Sequence, residues 1–588
     1  MAGQFMAGQR KAGQPPARYV LLRVNLSFSV SAACLYVRFI YRCYSSGKVS
    51  IGLAMPVDEG LNIDLQFLIL EVKKQARASA SVIDNPTTTK IKKVNSREKF
   101  IDNLKNTLES KSYFNIHRQE EGRMNHFKAV ITIASNLKRM ADFFNSISSK
   151  MSYVEDSGAF VEFDLKRYYQ VIYKALDAIY PALLEQNLET AQALCDYEQV
   201  LDDYYDETTA LVQLKLSKRG KVSDLMILLT IIQYLERVGD NLLNIGEAIL
   251  DIHVGEKLGI LQYRNLKKGL EGQNIKLGDS SVAFKRIMNT RSGCRVARII
   301  STPAGGDKTS IFYKEGDPEK IAEEVDGLRL WQEQFPGLTP QVLWHRARKD
   351  SATILLEYIE GQDLLNILIN DGGKLDQALD LLAREQTNVW KSSIKRKSVK
   401  TNYVGQLLRR KNDIESVHPS LFESSHDLSQ LIKAATKIER MLPAPFSTLI
   451  HGDFNADNVI FQLDESRMYY VDVHRSGFGD YVQDVSVFLV SNFRVPIFSP
   501  DIRQRLNAAN QRMYDCAADY AKKQKDQLFD ARLALGLFRS LVTSTRFVFD
   551  QAFSYQLMDR AAMILQDLKS HEDNLKKFKM NTDLFLYR

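Results

Sequence analysis

The sequence HGDFNADN, from His451 to Asn458, decides how the second half of this chain folds. Fourteen residues after Asn458, Asp472 stands in the segment YYVDVHRSGFGD. Phosphoryl transfer needs a base that orients a hydroxyl group and oxygen ligands that hold Mg²⁺ against phosphates. Asp453 and Asn458 supply both from one loop, and Asp472 adds a second, anionic metal ligand. The order and spacing predict a site for ATP and Mg²⁺.

A predicted hairpin explains how Asp472 returns to this loop. The strand-like runs Asn458–Gln462 and Met468–Val473 are joined by the turn-rich segment Asp464–Arg467. A lone HGD would be interpreted as an ordinary turn beside a strand. The complete set of polar residues, in this order, favours phosphoryl transfer. A domain that keeps the fold without turnover stays open, because a motif does not prove activity.

The sequence upstream of the loop predicts a small antiparallel sheet, because short β-branched runs alternate with turns. Lys314 ends the run SIFYK, and the helix after it carries Glu323 and Glu324. Such a lysine can bind the α- and β-phosphates of ATP while a glutamate holds it extended. The alternative is a solvated Lys and Glu on the surface. The predicted strands are Val282–Met288, Arg295–Ser301, Ser310–Lys314 and Ala352–Tyr358.

These motifs resemble the aminoglycoside phosphotransferase and choline kinase family, which is related to the protein kinases. The catalytic loop of the aminoglycoside phosphotransferase and choline kinase family reads HGDxxxxN. The resemblance implies a bilobal kinase-like fold with Asp453 as the catalytic base and His451 as a brace for the loop. It implies that Asn458 and Asp472 bind the metal. Asp484, in GDYVQDVSVFL, matches a family aspartate that orders the catalytic loop.

The same resemblance implies the nucleotide contacts. Family spacing between Ile321 and Leu328 selects Glu324, rather than Glu323, as the partner of Lys314. Glu357 lies in LLEYIEG, which is similar to the hinge that meets adenine. The loop over the phosphates departs from GxGxxG, with 277–281 as a second candidate. The preferred loop residues are Thr290, Arg291, Ser292 and Gly293.

The first half of the chain reads as helical. From Leu61 to about Ile252, apolar residues recur at three- and four-residue steps, which predicts a bundle of five or six helices. Two similar arms each end in a long helix, predicted over Met124–Met151 and Val222–Ile252. This all-α bundle and the kinase-like α+β half make the chain multidomain.

An acidic stripe marks the second long helix, where LERVGDNLLNIGE places Glu236, Asp240 and Asn244 at successive i+4 steps. Oxygen-bearing side chains in a row can bind a metal when another helix contributes more ligands. The alternative is a polar outer face. The segment resembles the PhoU family of phosphate-signalling regulators, which implies an additional Fe, Zn or Mg ion at Glu236 and Asp240. In the other arm Asp142 aligns with Asp240, but Lys138 would oppose a cation.

Composition sets limits on the class of protein. The 588 residues are too many for one core. The net charge of +8 suits anionic partners such as nucleotides but does not argue for nucleic-acid binding. The five cysteines form no CxxC, so neither a disulfide framework nor a zinc site is indicated, and reduced thiols in a cytoplasmic protein are expected. The apolar run Val24–Val37 is shorter than the ~20 residues of a membrane span.

The predicted domains follow from these segments. Residues 1–54 repeat MAGQ and read as a poorly structured leader, with Met55 as a candidate start. The remaining predicted divisions are a bundle at 55–254, a linker at 255–274, a kinase-like N-lobe at 275–361 and a C-lobe at 362–588.

The sequence therefore predicts a small-molecule kinase that phosphorylates a hydroxyl group and is regulated by phosphate or metal status through the bundle. A protein partner or a homodimer would form through the bundle. The alternative is a non-catalytic regulator whose kinase-like lobe only binds nucleotide. A protein kinase is disfavoured, because HRD, DFG and APE motifs are missing.

A basic stretch between the lobes has two interpretations. It is either a solvated helix face or a clamp for a phosphorylated or acidic acceptor. Its members are Lys391, Lys395, Arg396, Lys397, Lys400, Arg409, Arg410 and Lys411.

Overall fold

The computed structural model of this protein is described here over ten stretches, and the predicted leader and the preferred phosphate-covering loop lie outside them. The described residues are 59–117, 121–185, 187–217, 222–254, 258–277, 282–286, 294–302, 308–349, 351–422 and 428–587.

The first half is a helical bundle, as the apolar periodicity predicts. Its described residues form seven α-helices, one or two more than predicted, and one of them, the short helix α2, lies in a turn between two longer helices. Helices α4 and α7, close to the two predicted long helices, pack along each other in the middle of the bundle. The seven helices are α1 (Glu59–Asp84), α2 (Thr88–Asn95), α3 (Glu98–Ile116), α4 (Glu121–Lys150), α5 (Lys166–Leu184), α6 (Leu188–Ser217) and α7 (Val222–Val254).

The predicted linker contains an eighth helix, α8 (Ile260–Glu271). Its N-terminal end is held by the bundle, because the Ile260 N–H donates to Glu247 Oε1 at 2.9 Å. Its C-terminal end lies against the sheet of the second half. A Cβ on Gly269 would lie 2.7 Å from Leu355 Cδ1 and 2.9 Å from Trp344 Cε3, so only a glycine allows this close packing.

The second half begins with a five-stranded antiparallel sheet in the order β1-β2-β3-β5-β4. Four of its strands overlap the predicted ones, and β4 was missed because its residues are only partly buried and do not alternate clearly. Helix α9 (Pro318–Gln334) follows β3 and is capped by Asp317, which accepts the N–H groups of Glu319 and Lys320 at 3.1 Å. The strands are β1 (Val282–Arg286), β2 (Arg295–Ser301), β3 (Thr309–Gly316), β4 (Val342–Ala347) and β5 (Ala352–Glu357).

The remaining residues form a mostly helical lobe around the catalytic segment. The hairpin β8–β9 is antiparallel, with Val459 opposite Tyr470, as the sequence predicts. The strands are β6 (Gln362–Asp363), β7 (Thr448–Ile450), β8 (Val459–Gln462), β9 (Arg467–Tyr470) and β10 (Gly477–Gly479). The helices are α10 (Leu364–Asn370), α11 (Leu375–Ser392), α12 (Tyr403–Leu408), α13 (Lys411–Val417), α14 (Leu428–Glu439), α15 (Val482–Phe493), α16 (Pro500–Gln524), α17 (Phe529–Ser544) and α18 (Gln551–Ser570).

No helix in the described stretches is both long enough and apolar enough to cross a membrane.

Candidate active site

The HGD loop is fixed by one buried carboxylate. Asp484 lies in the first turn of α15 and accepts the His451 N–H at 2.7 Å and the Gly452 N–H at 2.8 Å. Burial raises the pKa of Asp484 to about 7, although these two backbone donors act in the opposite direction. The role that the resemblance implies for this residue therefore has a direct structural basis in two hydrogen bonds.

Gly452 has a φ of +82°, which side chains rarely tolerate. A Cβ at this position would also lie 2.2 Å from the carbonyl oxygen of Arg475. Glycine is therefore required at this turn for two reasons. One is its backbone angle, and the other is the close approach of the segment that contains Arg475.

The buried imidazole of His451 joins the loop to the hairpin behind it. Its Nδ1 accepts the Asp453 N–H at 3.4 Å, so Nε2 carries the proton and donates to the Val471 carbonyl at 3.0 Å. Burial lowers the pKa of His451, which favours this neutral form. The neutral ring of His451 thus connects the backbone of Asp453, the candidate base, with that of Val471, the residue before Asp472. Both acids therefore lie close to the same imidazole.

The carboxylate of Asp453 has a defined orientation. Its Oδ1 accepts from Asn455 Nδ2 at 3.0 Å, and its Oδ2 pairs with Arg475 Nη1 at 2.9 Å. The Asn458 amide nitrogen donates to the Asp453 carbonyl at 2.9 Å. That bond uses the nitrogen of Asn458 and leaves its side-chain oxygen as the group suited to a cation.

Asp472 lies at the end of a chain of charges that runs from Glu324 on helix α9 through Lys314 on strand β3. Lys314 Nζ is 2.7 Å from Glu324 Oε2 and 2.8 Å from Asp472 Oδ1, and His474 Nδ1 is 3.2 Å from the same Asp472 oxygen. Burial opposes ionisation of Asp472, but His474 and Lys314 outweigh it and lower its pKa. Burial likewise opposes the charge on Lys314, and Glu324 and Asp472 raise its pKa. The predicted Lys–Glu pair exists, and it also contacts the predicted metal ligand.

Backbone strain is present at Asp472, whose φ is +60°. A non-glycine residue in this region is uncommon and costs free energy unless its surroundings hold it. Helix α9 supplies part of that support. A Cβ on Gly327 would lie 2.3 Å from the Val473 carbonyl oxygen, so the helix that carries Glu324 also lies directly on the segment after Asp472.

Besides Lys314 and Glu324, the sequence predicts nucleotide contacts at Glu357 and in the 290–293 loop. Glu357 ends β5, where its N–H donates to the Gln341 carbonyl at 2.9 Å and its Oε2 accepts the Gln341 N–H at 3.3 Å. The backbone N–H and one carboxylate oxygen of Glu357 are thus bonded within the protein, and its contact with adenine stays a prediction. Thr290, Arg291, Ser292 and Gly293, the predicted phosphate-covering residues, lie outside the described residues.

A cavity of about 670 Å³ opens beside the catalytic loop. Asn455 and Asp457 of the loop form part of its wall, and Arg494 lies in the wall after α15. Phe547 and Phe549 contribute aromatic rings to the wall from the segment between α17 and α18. Sequence reasoning did not identify these lining residues, because three segments that are far apart in the chain bring them together.

Arg475 was also missed, although a signal was present. It stands three residues after Asp472 in VDVHR, where a cation could have been expected to face one of the two acids. The contact with Asp453, rather than with the nearer Asp472, depends on the turn after the hairpin and could not be predicted from spacing.

The metal predicted in the bundle is not supported. Within the described stretches, no group of three or more His, Cys, Asp or Glu side chains is arranged to hold a metal ion. Glu236 and Asp240 line a shallow pocket of about 390 Å³ that also includes the cationic Arg139 of the other arm. Burial and neighbouring carboxylates raise the pKa of Glu236.

The first arm has the charge reversal that its sequence indicates. Lys138 lies 2.7 Å from Asp142 Oδ2 and 3.6 Å from Asp102 Oδ1, so its ammonium group already compensates both acids.

Two family models match the chain. Residues 277–520 match the phosphotransferase enzyme family, and residues 165–249 match the PhoU domain. The phosphotransferase match contains β1 to β10 and the whole segment from His451 to Asp472. The PhoU match contains α5, α6 and most of α7.

Similar proteins fall into the same two groups. The PhoU homolog 1 of Thermotoga maritima, a phosphate-specific transport system accessory protein, is 21% identical over 217 residues, which is 36% of this chain and 93% of that protein. An aminoglycoside 3'-phosphotransferase of Escherichia coli is 26% identical over 223 residues, 37% of this chain and 79% of that protein. Among solved structures, a choline kinase of Cryptosporidium parvum Iowa II matches with a TM-score of 0.36 at 11% identity, covering 53% of this chain and 99% of that one.

Proposed function

We propose that this chain, which carries a PhoU domain followed by a phosphotransferase-family domain, transfers the γ-phosphoryl group of ATP to a hydroxyl group of a small molecule. The observation that carries the proposal is the charge chain Glu324–Lys314–Asp472 beside the braced HGD loop. In this arrangement Lys314 would bind phosphate and Asp472 would bind the metal. Asp453 in the HGD loop would act as the base. We place the protein in the cytoplasm, where thiols such as that of the buried Cys195 would stay reduced.

In this mechanism Asp453 orients the acceptor hydroxyl and takes its proton as the oxygen bonds to the γ-phosphorus. The bond from that phosphorus to the β,γ-bridging oxygen breaks, and ADP leaves. Arg475 and Asn455 hold the Asp453 carboxylate in place while this happens. Positioning and charge neutralisation account for most of the rate in such reactions.

Asn458 and Asp472 fit the needs of Mg²⁺. A side-chain oxygen and one ionised carboxylate are the few protein ligands that this ion takes beside phosphate oxygens and water. Lys314 keeps Asp472 ionised and would itself meet the α- and β-phosphates. The ion, when bound, would neutralise charge that develops on the transferring phosphoryl group.

Regulation through the bundle is supported by the contacts of α8. This helix is tied to α7 through Glu247, and Arg264 forms an ion pair with Asp196 on α6. At its other end, Gly269 lies against Leu355 of β5, a strand that pairs with the strand bearing Lys314. A change in the bundle on phosphate or metal binding, or on docking of a protein partner or second copy, would reach the nucleotide lobe through this helix.

The test is a single-turnover measurement of ATP consumption with Mg²⁺, comparing wild type with Asp453→Asn. We expect the loss of a general base to slow the chemical step by about 10²- to 10⁴-fold. Binding of ADP, measured by calorimetry, should be retained in the variant.

The outcomes separate the two interpretations of the domain. Equal rates of ATP consumption in both proteins, across a screen of hydroxyl-bearing metabolites, would refute the enzyme. Nucleotide binding without any turnover would then support the regulator that only senses nucleotide.

A further inference from the structure

The cavity beside the catalytic loop has aromatic rings on its wall that are in contact with water. Phe549 is 85% exposed, Phe498 is 55% exposed and Phe547 is 45% exposed, and all three residues line the cavity. Exposed rings that gather around one cavity are typical of a ligand-binding groove, because a ligand that buries them is bound favourably. The cavity volume of about 670 Å³ lies in the range of sites for small molecules.

The segment that carries Phe549 is fixed on both sides of that residue. The Val548 carbonyl oxygen accepts a hydrogen bond from His418 Nε2 at 2.6 Å. Asp550 accepts the Phe553 N–H at 2.7 Å and so caps helix α18. Because the backbone is held before and after Phe549, its exposed ring is kept at the cavity by the fold.

The other two rings are held by neighbouring side chains. Arg546 Cζ lies 4.2 Å from the centroid of the Phe547 ring, and Arg494 Cζ lies 5.2 Å from it. The ring centroids of Phe498 and Tyr587 are 5.6 Å apart. A side chain that is already held in place loses little conformational entropy when a ligand binds to it, so these rings are suited to binding.

The charged groups on the wall have opposite signs. Asp457 of the catalytic loop and Arg494 both line the cavity, and Asp550 is the third charged residue of its lining. Asp550 lies at the N-terminal end of α18, where the helix itself stabilises a carboxylate. Burial raises the pKa of Asp457, whereas Arg494 acts in the opposite direction. Because one carboxylate and one guanidinium compensate each other here, the wall favours an uncharged ligand.

Asn455 connects the cavity with the candidate base. It lines the cavity, and its Nδ2 donates to Asp453 Oδ1 at 3.0 Å. A single hydrogen bond thus separates the cavity wall from the base carboxylate. A molecule that lies against the aromatic wall can therefore place a hydroxyl group near Asp453.

We propose that the phosphoryl acceptor is an uncharged alcohol with an apolar ring, which lies against the exposed phenylalanines while its hydroxyl group faces Asp453. The inference rests on the proposed function, because it takes this cavity as the acceptor site. In the transfer, the hydroxyl proton passes to Asp453, the hydroxyl oxygen bonds to the γ-phosphorus and ADP leaves. Polyols and phosphorylated alcohols are disfavoured, because they would leave the rings in contact with water.

A cationic alcohol is also disfavoured, although aromatic rings can bind cations. The Phe547 ring already has the guanidinium groups of Arg494 and Arg546 beside it. These two groups would repel a further cation at the same ring.

The test measures binding by NMR titration while Mg·ADP saturates the nucleotide site. The probes are 2-phenylethanol as the ring-bearing alcohol, glycerol as a polyol, choline as a cation and glycerol 3-phosphate as an anion. We expect 2-phenylethanol to bind about tenfold or more tightly than each of the other three, because it alone buries an apolar ring against the wall.

Substitutions of the phenylalanines locate the bound alcohol. Phe549→Ala and Phe498→Ala should each weaken binding of 2-phenylethanol about three- to tenfold, the range for a pair of aromatic rings. Phe549→Leu keeps apolar surface and should retain part of the affinity. Phe100→Ala is the matched control, because Phe100 is 50% exposed on α3 of the bundle, and binding should not change. Circular dichroism checks that each variant is folded.

Three results would overturn the ring-bearing acceptor. The first is tighter binding of glycerol, choline or glycerol 3-phosphate than of 2-phenylethanol. The second is unchanged affinity for 2-phenylethanol in both alanine variants, which would place the alcohol elsewhere. The third is loss of ADP affinity in folded Phe549→Ala or Phe498→Ala, which would assign the rings to the nucleotide.

Failure of this inference can be told from failure of the proposed function. Asp453→Asn should bind 2-phenylethanol as wild type does, because the rings and not the base hold the alcohol. Equal ATP consumption in wild type and Asp453→Asn would refute the proposed function, whatever the binding result. Weak binding of 2-phenylethanol in a protein whose ATP consumption depends on Asp453 would refute the ring-bearing acceptor alone.

Discussion

Arg475 Nη1 lies 2.9 Å from Asp453 Oδ2, so the candidate base is held by a cation in the protein itself. Asn455 holds the other oxygen of this carboxylate, because its Nδ2 donates to Asp453 Oδ1 at 3.0 Å. The ion pair orients one oxygen of the Asp453 carboxylate, and the contribution of this orientation to the rate of phosphoryl transfer can be measured.

Replacing Arg475 tests that contribution. Arg475→Gln should lower kcat about ten- to a hundredfold, because small misplacements of a catalytic group have effects of this size. Since Arg475 lies in the turn after Asp472 rather than at the nucleotide, KM for ATP should change little. Steady-state kinetics with an acceptor found by metabolite screening would check this. A variant whose kcat is unchanged would show that the loop alone positions Asp453.

The Lys314–Glu324 pair offers a matched comparison within one helix. Glu324 is buried and 2.7 Å from Lys314, whereas Glu323 is exposed. Glu324→Gln should raise KM for ATP about tenfold, because Lys314 loses a charged partner worth about 1.5 kcal/mol or more. Glu323→Gln should behave as wild type. Equal effects of the two substitutions would contradict the assignment of the pair.

Gly452→Ala should disable the catalytic loop. The substitution adds a Cβ 2.2 Å from the Arg475 carbonyl oxygen at a φ of +82°, so the turn must open. Activity should fall to background while ADP binding is weakened less. Gly477→Ala is the control, since a Cβ there meets no atom within 4 Å. Both can be followed by ATP consumption and by fluorescence of the three tryptophans.

A buried ion network should determine the stability of the C-lobe. Arg532 is fully buried and pairs with Asp480 at 2.8 Å and with Asp526 at 2.6 Å. Arg532→Met leaves two buried carboxylates without their cation and should lower the free energy of unfolding by about 3–5 kcal/mol. Tryptophan fluorescence during urea unfolding measures this, since Trp331, Trp344 and Trp390 are the chain's three tryptophans.

An exposed arginine provides the comparison for that experiment. Arg467 pairs with Glu465 at 3.1 Å on the surface, and Arg467→Met should change the free energy of unfolding by less than about 1 kcal/mol. If both methionine variants unfold alike, the network is not a major source of stability.

The acidic face of the bundle should make its stability depend on pH. Burial, followed by neighbouring carboxylates, raises the pKa of Asp202 and Glu236, and burial raises that of Asp240. When the folded-state pKa of an acid lies above the unfolded value, stability is complete below the unfolded value and falls as pH rises through the folded value. Bundle stability should therefore decrease from about pH 4 upward.

Neutralising one carboxylate should remove part of that decrease. Glu236→Gln should stabilise the bundle at pH 7 by about 0.2–0.5 kcal/mol, the range for like charges at this helical spacing, and should have little effect at pH 4. The bundle transition can be followed by circular dichroism. Glu189→Gln, at the start of α6, is a comparison on the same domain. Destabilisation of the Glu236 variant at pH 7 would refute the repulsion.

The sequence alone determined the two-part architecture and located the candidate catalytic pattern. Periodicity along the chain is enough to distinguish a helical bundle from a sheet followed by helices, because apolar spacing follows the geometry of each element. The HGDxxxxN loop and Asp472 could be related by spacing, because a short hairpin returns the chain to its starting point. The Lys314–Glu324 pair needed the order of strand and helix and the resemblance to choose between two adjacent glutamates.

Only the tertiary structure decided which groups surround that pattern. The contact of Arg475 with Asp453, the ring shared by Arg494 and Arg546, and the cavity beside them arise where segments far apart in the chain meet. No local periodicity encodes such meetings, because they depend on the packing of helices on one another. The same reason explains why the stripe Glu236–Asp240 reads as a metal site in sequence, whereas the described bundle assembles no ligand set around it.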